Sequence, residues 1–135
     1  MNEAKANHLE PGKDAKVLIY VVDDEPMLLE LAAMILEPLG YAIEIFRSGE
    51  SAVESFASAR RRPALVITDF AMHVMTGLDV IEACRRIQPG QKVLLVSGTV
   101  DETAYANSTV KPDRFLAKPY QAKQLVDMVK SALAS

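Results

Sequence analysis

An α/β fold built on a parallel sheet is predicted by three features of the sequence. Short apolar runs alternate with longer stretches of helical period, and the connections between them are short. Three of the runs, V-L-I-Y-V-V (17–22), A-L-V-I-T (64–68) and K-V-L-L-V (92–96), are apolar almost throughout, as expected when both faces of a parallel sheet are covered. Ionisable and hydroxyl residues collect just past the ends of these runs. At 135 residues the chain is long enough for one domain with one sizeable core.

Residues 1–15 are polar, carry Pro11-Gly12 and offer only Leu9 as a large apolar group, so they are expected to form a flexible leader, with the domain over 16–135. After the first strand (17–22), a helix is predicted over about 26–38. Asp24 is positioned to cap it, Pro26 suits its first turn and Gly40 follows its end. On a wheel its apolar side chains cover an arc of roughly 220°, wider than a one-sided surface helix needs. Leu28, Leu31, Ala32, Ile35 and Leu39 are expected at the buried centre, with Met27 and Met34 on one flank and Leu29 and Leu36 on the other. Another helix is expected to cover a flank; a docking partner is the alternative.

A second strand (42–46) leads to a helix over 49–60, where Arg60-Arg61-Arg62 would complement the negative end of the helix dipole. The third strand (64–68) leads to a helix over 77–88, in which Cys84 falls in the pattern Leu78, Ile81, Cys84, Ile87 and reads as a small core residue. After the fourth strand (92–96), Val100–Val110 is rich in Asp, Thr, Asn and Ser, which compete for helical backbone bonds, and Pro112 disfavours helix at Lys111. A short helix near 100–108, or a loop, is expected there. The fifth strand (114–117) and a helix over 121–134 complete the chain.

A net charge of −3 argues against nucleic acid as a direct partner, which would require a concentrated basic face. The single cysteine permits no intrachain disulfide and suits a reducing compartment. With no long apolar stretch and no signal-peptide core, the protein is expected to be soluble and cytoplasmic.

Asp23 and Asp24 follow the first strand, Asp69 the third, Ser97 the fourth and Lys118 the fifth. In an open α/β sheet such residues meet in one crevice at the carboxyl ends of the strands. Each alone reads as a helix cap or a surface residue. Three converging carboxylates, however, repel and lose hydration unless a cation compensates, and oxygen-only ligation suits Mg²⁺. With charge so balanced, an ionised carboxylate can attack phosphorus without a base to activate it. Lys118 supplies a second cation on a flexible stem, and Ser97 a hydroxyl donor to a phosphoryl oxygen.

The motifs V-V-D-D-E (21–25), D-F-A-M-H-V-M-T-G (69–77), L-V-S-G (95–98) and F-L-A-K-P-Y (115–120), in this order, closely resemble those of the receiver (CheY-like) domains of two-component response regulators. The resemblance runs from about Lys16 to Leu133. It implies a flavodoxin-like, doubly wound five-stranded parallel sheet in the order 2-1-3-4-5, flanked by about five helices with the fourth short or irregular. It also implies Asp69 as phosphoacceptor and Asp24 as the direct acidic Mg²⁺ ligand. Asp23 would act mainly through metal-bound water, and the Ala71 carbonyl would complete the protein ligands. Ser97 and Lys118 keep the roles above, and Phe115 matches the family's switch aromatic. The phosphoryl donor would be a histidine kinase or a histidine phosphotransfer protein, with Pro26, Met27, Pro119 and Tyr120 bordering the opening through which it docks. The expected protein is thus a signalling module and not an enzyme, acting on a downstream protein target.

Three departures stand out. His73 replaces the usual Pro after D-x-x-M and reads as a solvated loop residue. Val110-Lys111-Pro112 occupies the place of a small Gly-Ala pair, which bears on the shape of the fourth helix. No output domain follows Ser135, so a single-domain regulator or a fragment of a longer protein is expected. Phe115 is expected to be partly or wholly inward even without phosphorylation, with Val100–Val110 carrying most of any change.

Rival chemistries fit less well. A haloacid-dehalogenase-type phosphatase needs a second Asp two residues past its nucleophile, where Asp23 has Glu25 and Asp69 has Ala71. A flavodoxin-like electron carrier needs a hydroxyl-rich phosphate loop where D-D-E-P stands, and a Rossmann dehydrogenase needs G-x-G-x-x-G. The remaining alternative is a degenerate receiver acting only through protein contacts.

Overall fold

The computed structural model describes residues 15–135; the leader expected over 1–15 lies, but for Ala15, outside the described residues. Five parallel strands, β1 (Leu18–Val22), β2 (Ala42–Phe46), β3 (Leu65–Asp69), β4 (Val93–Ser97) and β5 (Arg114–Ala117), form one sheet in the order β2-β1-β3-β4-β5. Every residue of β1, β3 and β4 is buried, which is why those three runs are so uniformly apolar.

Four α-helices flank the sheet: α1 (Pro26–Leu36), α2 (Gly49–Ser58), α3 (Gly77–Ile87) and α4 (Ala122–Ala134). On one face Leu29, Ala32 and Leu36 of α1 and Leu125, Val129 and Ala132 of α4 pack against Ile19, Val21, Ile67 and Leu94. On the other, Ala52 and Phe56 of α2 and Val80, Ile81 and Cys84 of α3 pack against Tyr20, Val22, Val66 and Val93. Phe56 is fully buried, edge-on to Tyr20 at 6.3 Å between ring centroids, a burial worth roughly 1.5–3 kcal/mol. Cys84 is buried as expected, and desolvation pushes its thiol up to about 11, so it is protonated and inert at neutral pH.

The first helix departs from the wheel. Of the expected centre Ala32 is buried and Ile35 packs half-buried against the core, but Leu28 is only half-buried and Leu31 and Leu39 are exposed; Leu29 and Leu36 take their place beside Ala32. An apolar arc so wide has no sharp centre, and the contacts with α4 and the sheet choose which side turns in. The α-helix also stops at Leu36, where a 3-10 turn over Glu37–Leu39 begins and Gly40, at φ 98°, closes it, so Leu39 lies past the helix. Nor does Asp24 cap the helix. Glu25 holds the N-cap without a side-chain bond, and the Glu25 N–H instead donates to Asp23 Oδ1 at 2.9 Å. The Met27 and Met34 flank remains open among the described residues, with these side chains 80% and 71% exposed.

α2 ends at Ser58, short of the arginine run, yet Arg62 folds back onto it. Its Nε donates to the Phe56 carbonyl at 3.2 Å, in the last turn of the helix, where the Ala59 N–H also donates at 3.4 Å, and its guanidinium lies 5.4 Å from the Phe56 ring centroid.

Between β4 and β5 there is no α-helix. A 3-10 turn over Glu102–Tyr105 stands where a helix near 100–108 was expected, so four α-helices replace the expected five or so. Asp113 closes this connection, accepting from the Val93 N–H at 2.7 Å and pairing with Arg85 at 2.9 Å. Tyr105 is the one buried side chain among residues 98–113.

Candidate functional site

The crevice at the carboxyl ends of β1, β3, β4 and β5 brings together Asp23, Asp24, Asp69 and Lys118, with Ala71 at its wall and Ser97 at the end of β4. Asp23 leaves β1 with its backbone N–H bonded to the Phe46 carbonyl at 3.0 Å, and its carboxylate secures the turn into α1. Asp23 is thus committed to the backbone on one side while its other oxygen faces the crevice. Asp69 is the last residue of β3 and is buried.

Gly77 permits the close packing behind Asp69. A Cβ there would lie 2.6 Å from the Asp69 carbonyl oxygen and 2.6 Å from Leu95 Cδ1, so only glycine fits. The Gly77 N–H donates to the Phe70 carbonyl at 2.8 Å, and a reciprocal Thr76–Asp79 capping box starts α3 there. The G of the 69–77 motif was legible in the sequence; its reason is this contact.

Lys118 enters from β5, its backbone N–H bonded to the Ser97 carbonyl at 2.9 Å. Its ammonium lies 2.9 Å from Asp23 Oδ2 and 3.0 Å from Asp69 Oδ1. Burial pushes the Asp69 carboxyl up; Lys118 pulls it back, while the charges of Asp23 and Asp24 push it up again, and the net direction is up. Burial pulls Lys118 down, but hydrogen bonds and charge from Asp23 and Asp69 outweigh this and hold its ammonium protonated above the usual lysine range. The lysine is therefore well compensated and the carboxylates are not. Three acids share one cation, and one ligand oxygen from each of Asp23, Asp24 and Asp69 lies within 4.8 Å of the others.

Over this cluster opens a cavity of about 480 Å³ lined by Asp24, Glu25, Asp69, Ala71, Gly98, Thr99 and Lys118. Exposed Asp24 and Ala71 stand at its wall with Asp69 behind them. An all-oxygen donor set with uncompensated negative charge and open space for water fits a hard divalent cation such as Mg²⁺.

Ser97 is buried, and its Oγ accepts from the backbone N–H groups of Thr99 and Val100, each at 3.1 Å. Gly98 and Thr99, not Ser97, border the cavity. Thr99, whose hydroxyl lies 3.3 Å from that of Ser97, was not singled out from the sequence, where a Thr just past a strand carries no distinctive signal. Phe115 is half-buried with its ring centroid 6.3 Å from that of Tyr105, and His73 is exposed on the loop after β3. Leu28, Leu31, Gly98, Lys118, Pro119 and Tyr120 form an apolar groove of about 420 Å³, which shares Gly98 and Lys118 with the acidic cavity. Pro26 and Met27 are exposed nearby at the start of α1.

The sequence pattern of the response regulator receiver domain matches residues 19–130, most of the described chain. The chain belongs to the response regulator receiver family. Among relatives of this receiver is the probable transcriptional regulatory protein TcrX of Mycobacterium tuberculosis, 35% identical over 118 residues that cover 87% of this chain and 50% of that protein. The receiver thus spans half the length of that relative. A response regulator receiver protein from Sinorhizobium medicae superposes with a TM-score of 0.79 at 27% identity, covering 89% of this chain and 96% of the other. A CheY-like receiver domain protein from Methanospirillum hungatei gives a TM-score of 0.80 at 23% identity, covering 89% and 95%, and shares the fold. Among the described residues no helix is long and apolar enough to cross a membrane.

Proposed function

We propose that this receiver accepts a phosphoryl group on Asp69 in a Mg²⁺-dependent reaction and passes the signal on by a change of conformation. The observation that carries this reading is the placement of Lys118 within 3.0 Å of Asp69 in a crevice that also holds Asp23 and Asp24. One Asp69 oxygen would bond to phosphorus as the bond from phosphorus to the donor's imidazole nitrogen breaks, leaving a mixed anhydride on Asp69 and a free imidazole. The metal, when bound, neutralises charge on the incoming phosphoryl oxygens. Asp24 and the Ala71 carbonyl would hold it directly, and Asp23, tied to the Glu25 N–H, through water. Lys118 would move from its double pairing with the carboxylates to the phosphoryl oxygens, which its flexible stem permits. Ser97 would donate its hydroxyl hydrogen to one of them.

The donor is a histidine kinase or a histidine phosphotransfer protein in this reading. Its phosphohistidine would have to reach Asp69 past Pro26, Met27, Pro119 and Tyr120. The apolar groove between α1 and Pro119-Tyr120 supports such docking, because it shares a wall with the acidic cavity. Whatever longer protein or downstream target the receiver serves follows the same logic: a signalling module acting through contacts, with no substrate turned over on another molecule.

The test is incubation with a small acyl phosphate and Mg²⁺, followed by intact mass. One phosphoryl group should be incorporated, and chelation of the metal or the substitution Asp69→Ala should abolish it. Equal incorporation by Asp69→Ala would refute the assignment.

A further inference from the structure

The sheet face under α2 and α3 is covered unevenly. Val22, Thr68, Leu95 and Phe115 lie side by side on it, because the register pairs Val22 with Thr68, Thr68 with Leu95 and Leu95 with Phe115. Ser97 and Ala117, two residues further along β4 and β5, point the same way. Leu95 meets α3 at Gly77. Phe115, at the sheet edge, instead meets Tyr105, carried on a 3-10 turn, with ring centroids 6.3 Å apart and planes tilted by 48°.

Residues 98–113 bury only that one side chain. At its start the same segment hangs on Ser97 Oγ, which accepts the N–H groups of Thr99 and Val100. Residues 101–104, between these two attachments, are all exposed. The position of Ser97 and the position of Tyr105 are therefore joined by a short stretch that little else holds.

We propose that Tyr105 is a positioning residue for phosphoryl acceptance: its ring latches residues 98–110 onto Phe115 and thereby keeps Ser97 turned toward Thr99 and Val100. This rests on Asp69 being the phosphoacceptor. A phosphoryl group on Asp69, beside Val96 in the adjacent strand, offers oxygens that draw the Ser97 hydroxyl out of its present bonds. Thr99 and Val100 must then shift, and with them the turn that carries Tyr105. A contact made in only one of two arrangements biases the equilibrium toward that arrangement, so the latch opposes phosphorylation. An aromatic pair of this kind corresponds to about two- to tenfold in that equilibrium.

The test compares the full chain with Tyr105→Leu, which keeps apolar volume and the fold but loses the ring, and with Tyr105→Phe, which keeps the ring. Phosphoryl incorporation from a small acyl phosphate at excess Mg²⁺ is followed by mass. Amide exchange of residues 98–110 is measured with and without beryllofluoride. Tyr105→Leu should incorporate about two- to tenfold faster, its unphosphorylated exchange should rise toward the wild-type level with beryllofluoride, and Tyr105→Phe should match wild type. Raised exchange in Tyr105→Leu with an unchanged or slower rate would mean a merely structural role and overturn the proposal. So would a Tyr105→Phe variant that behaves as Tyr105→Leu. Equal incorporation by all three chains would overturn the latch alone, whereas no incorporation by wild type would overturn the Asp69 reading and the latch with it.

Discussion

At the β1–β3 side of the crevice, Asp23 and Asp69 stand at the ends of strands buried on both faces. Helix α1 begins three residues past Asp23, and the loop over 70–76 returns at Gly77, which starts α3 packed against the Asp69 backbone. At the β4–β5 side, Ser97 is followed by a segment with one buried side chain, and Lys118 follows an edge strand whose residues are mostly half-buried or exposed. The acidic half is fixed by packing; the responding half is held by a few hydrogen bonds and one aromatic contact, with half-buried Val110 and the Arg85–Asp113 pair anchoring its far end. Carboxylates that must repel one another need a rigid frame. Groups that must follow an arriving phosphoryl group need a segment that rearranges at low cost, and such segments have few buried apolar contacts.

Substitutions on the rigid side should give the larger effects. Asp24→Ala removes a cavity-wall carboxylate that makes no structural hydrogen bond among the described residues, so it should weaken Mg²⁺ binding by about tenfold or more with the fold intact. Undiminished binding in a titration would place the metal elsewhere. Gly77→Ala should destabilise the protein by about 1–3 kcal/mol in denaturant unfolding, because the new methyl group overlaps backbone behind Asp69. A neutral result would mean that α3 and β3 can separate, and that the acidic half is less rigid than described.

Smaller effects belong to the rim and to pH. Met27→Glu puts a charge beside the apolar groove without touching the carboxylates. Transfer from a phosphodonor protein should slow about fivefold or more, while transfer from a small acyl phosphate stays unchanged. Equal slowing with both donors would show damage to the site. Because burial raises the Asp69 carboxyl, the folded chain binds that proton more tightly than the unfolded chain does. Stability from this group therefore falls as pH rises through its folded pKa. In metal-free buffer Asp69→Asn should be more stable than wild type at neutral pH, and the advantage should vanish below about pH 3, where both states hold the proton. An advantage that persists in acid would have another origin.

Much of this was legible in the sequence because the two periods are unambiguous where both faces or one face of an element are buried. The five strands, the irregular connection between β4 and β5 and the placing of Asp23, Asp24, Asp69, Ser97 and Lys118 at the carboxyl ends of the strands follow from apolar runs and the residues that end them. The orientation of α1 was not legible, because an apolar arc that wide does not say which side faces the sheet, and Leu29 and Leu36 turned inward in place of Leu31 and Leu39. The actual bonds of Ser97 were hidden too. A hydroxyl at a strand end can point to a ligand or to its own loop, and only the backbone path past Gly98 decides. Tyr105 carried no signal, since one aromatic in a polar stretch looks like a surface residue until Phe115 is placed beside it.

The central claim is that Asp69, not Asp23 or Asp24, takes the phosphoryl group. After phosphorylation by a small acyl phosphate with Mg²⁺, borohydride reduces a carboxyl-phosphate anhydride to the alcohol, leaving homoserine at the modified aspartate. Peptide mass mapping should find homoserine at residue 69 alone, and none when the metal is withheld. Homoserine at residue 23 or 24, or none anywhere in phosphorylated protein, would contradict the account.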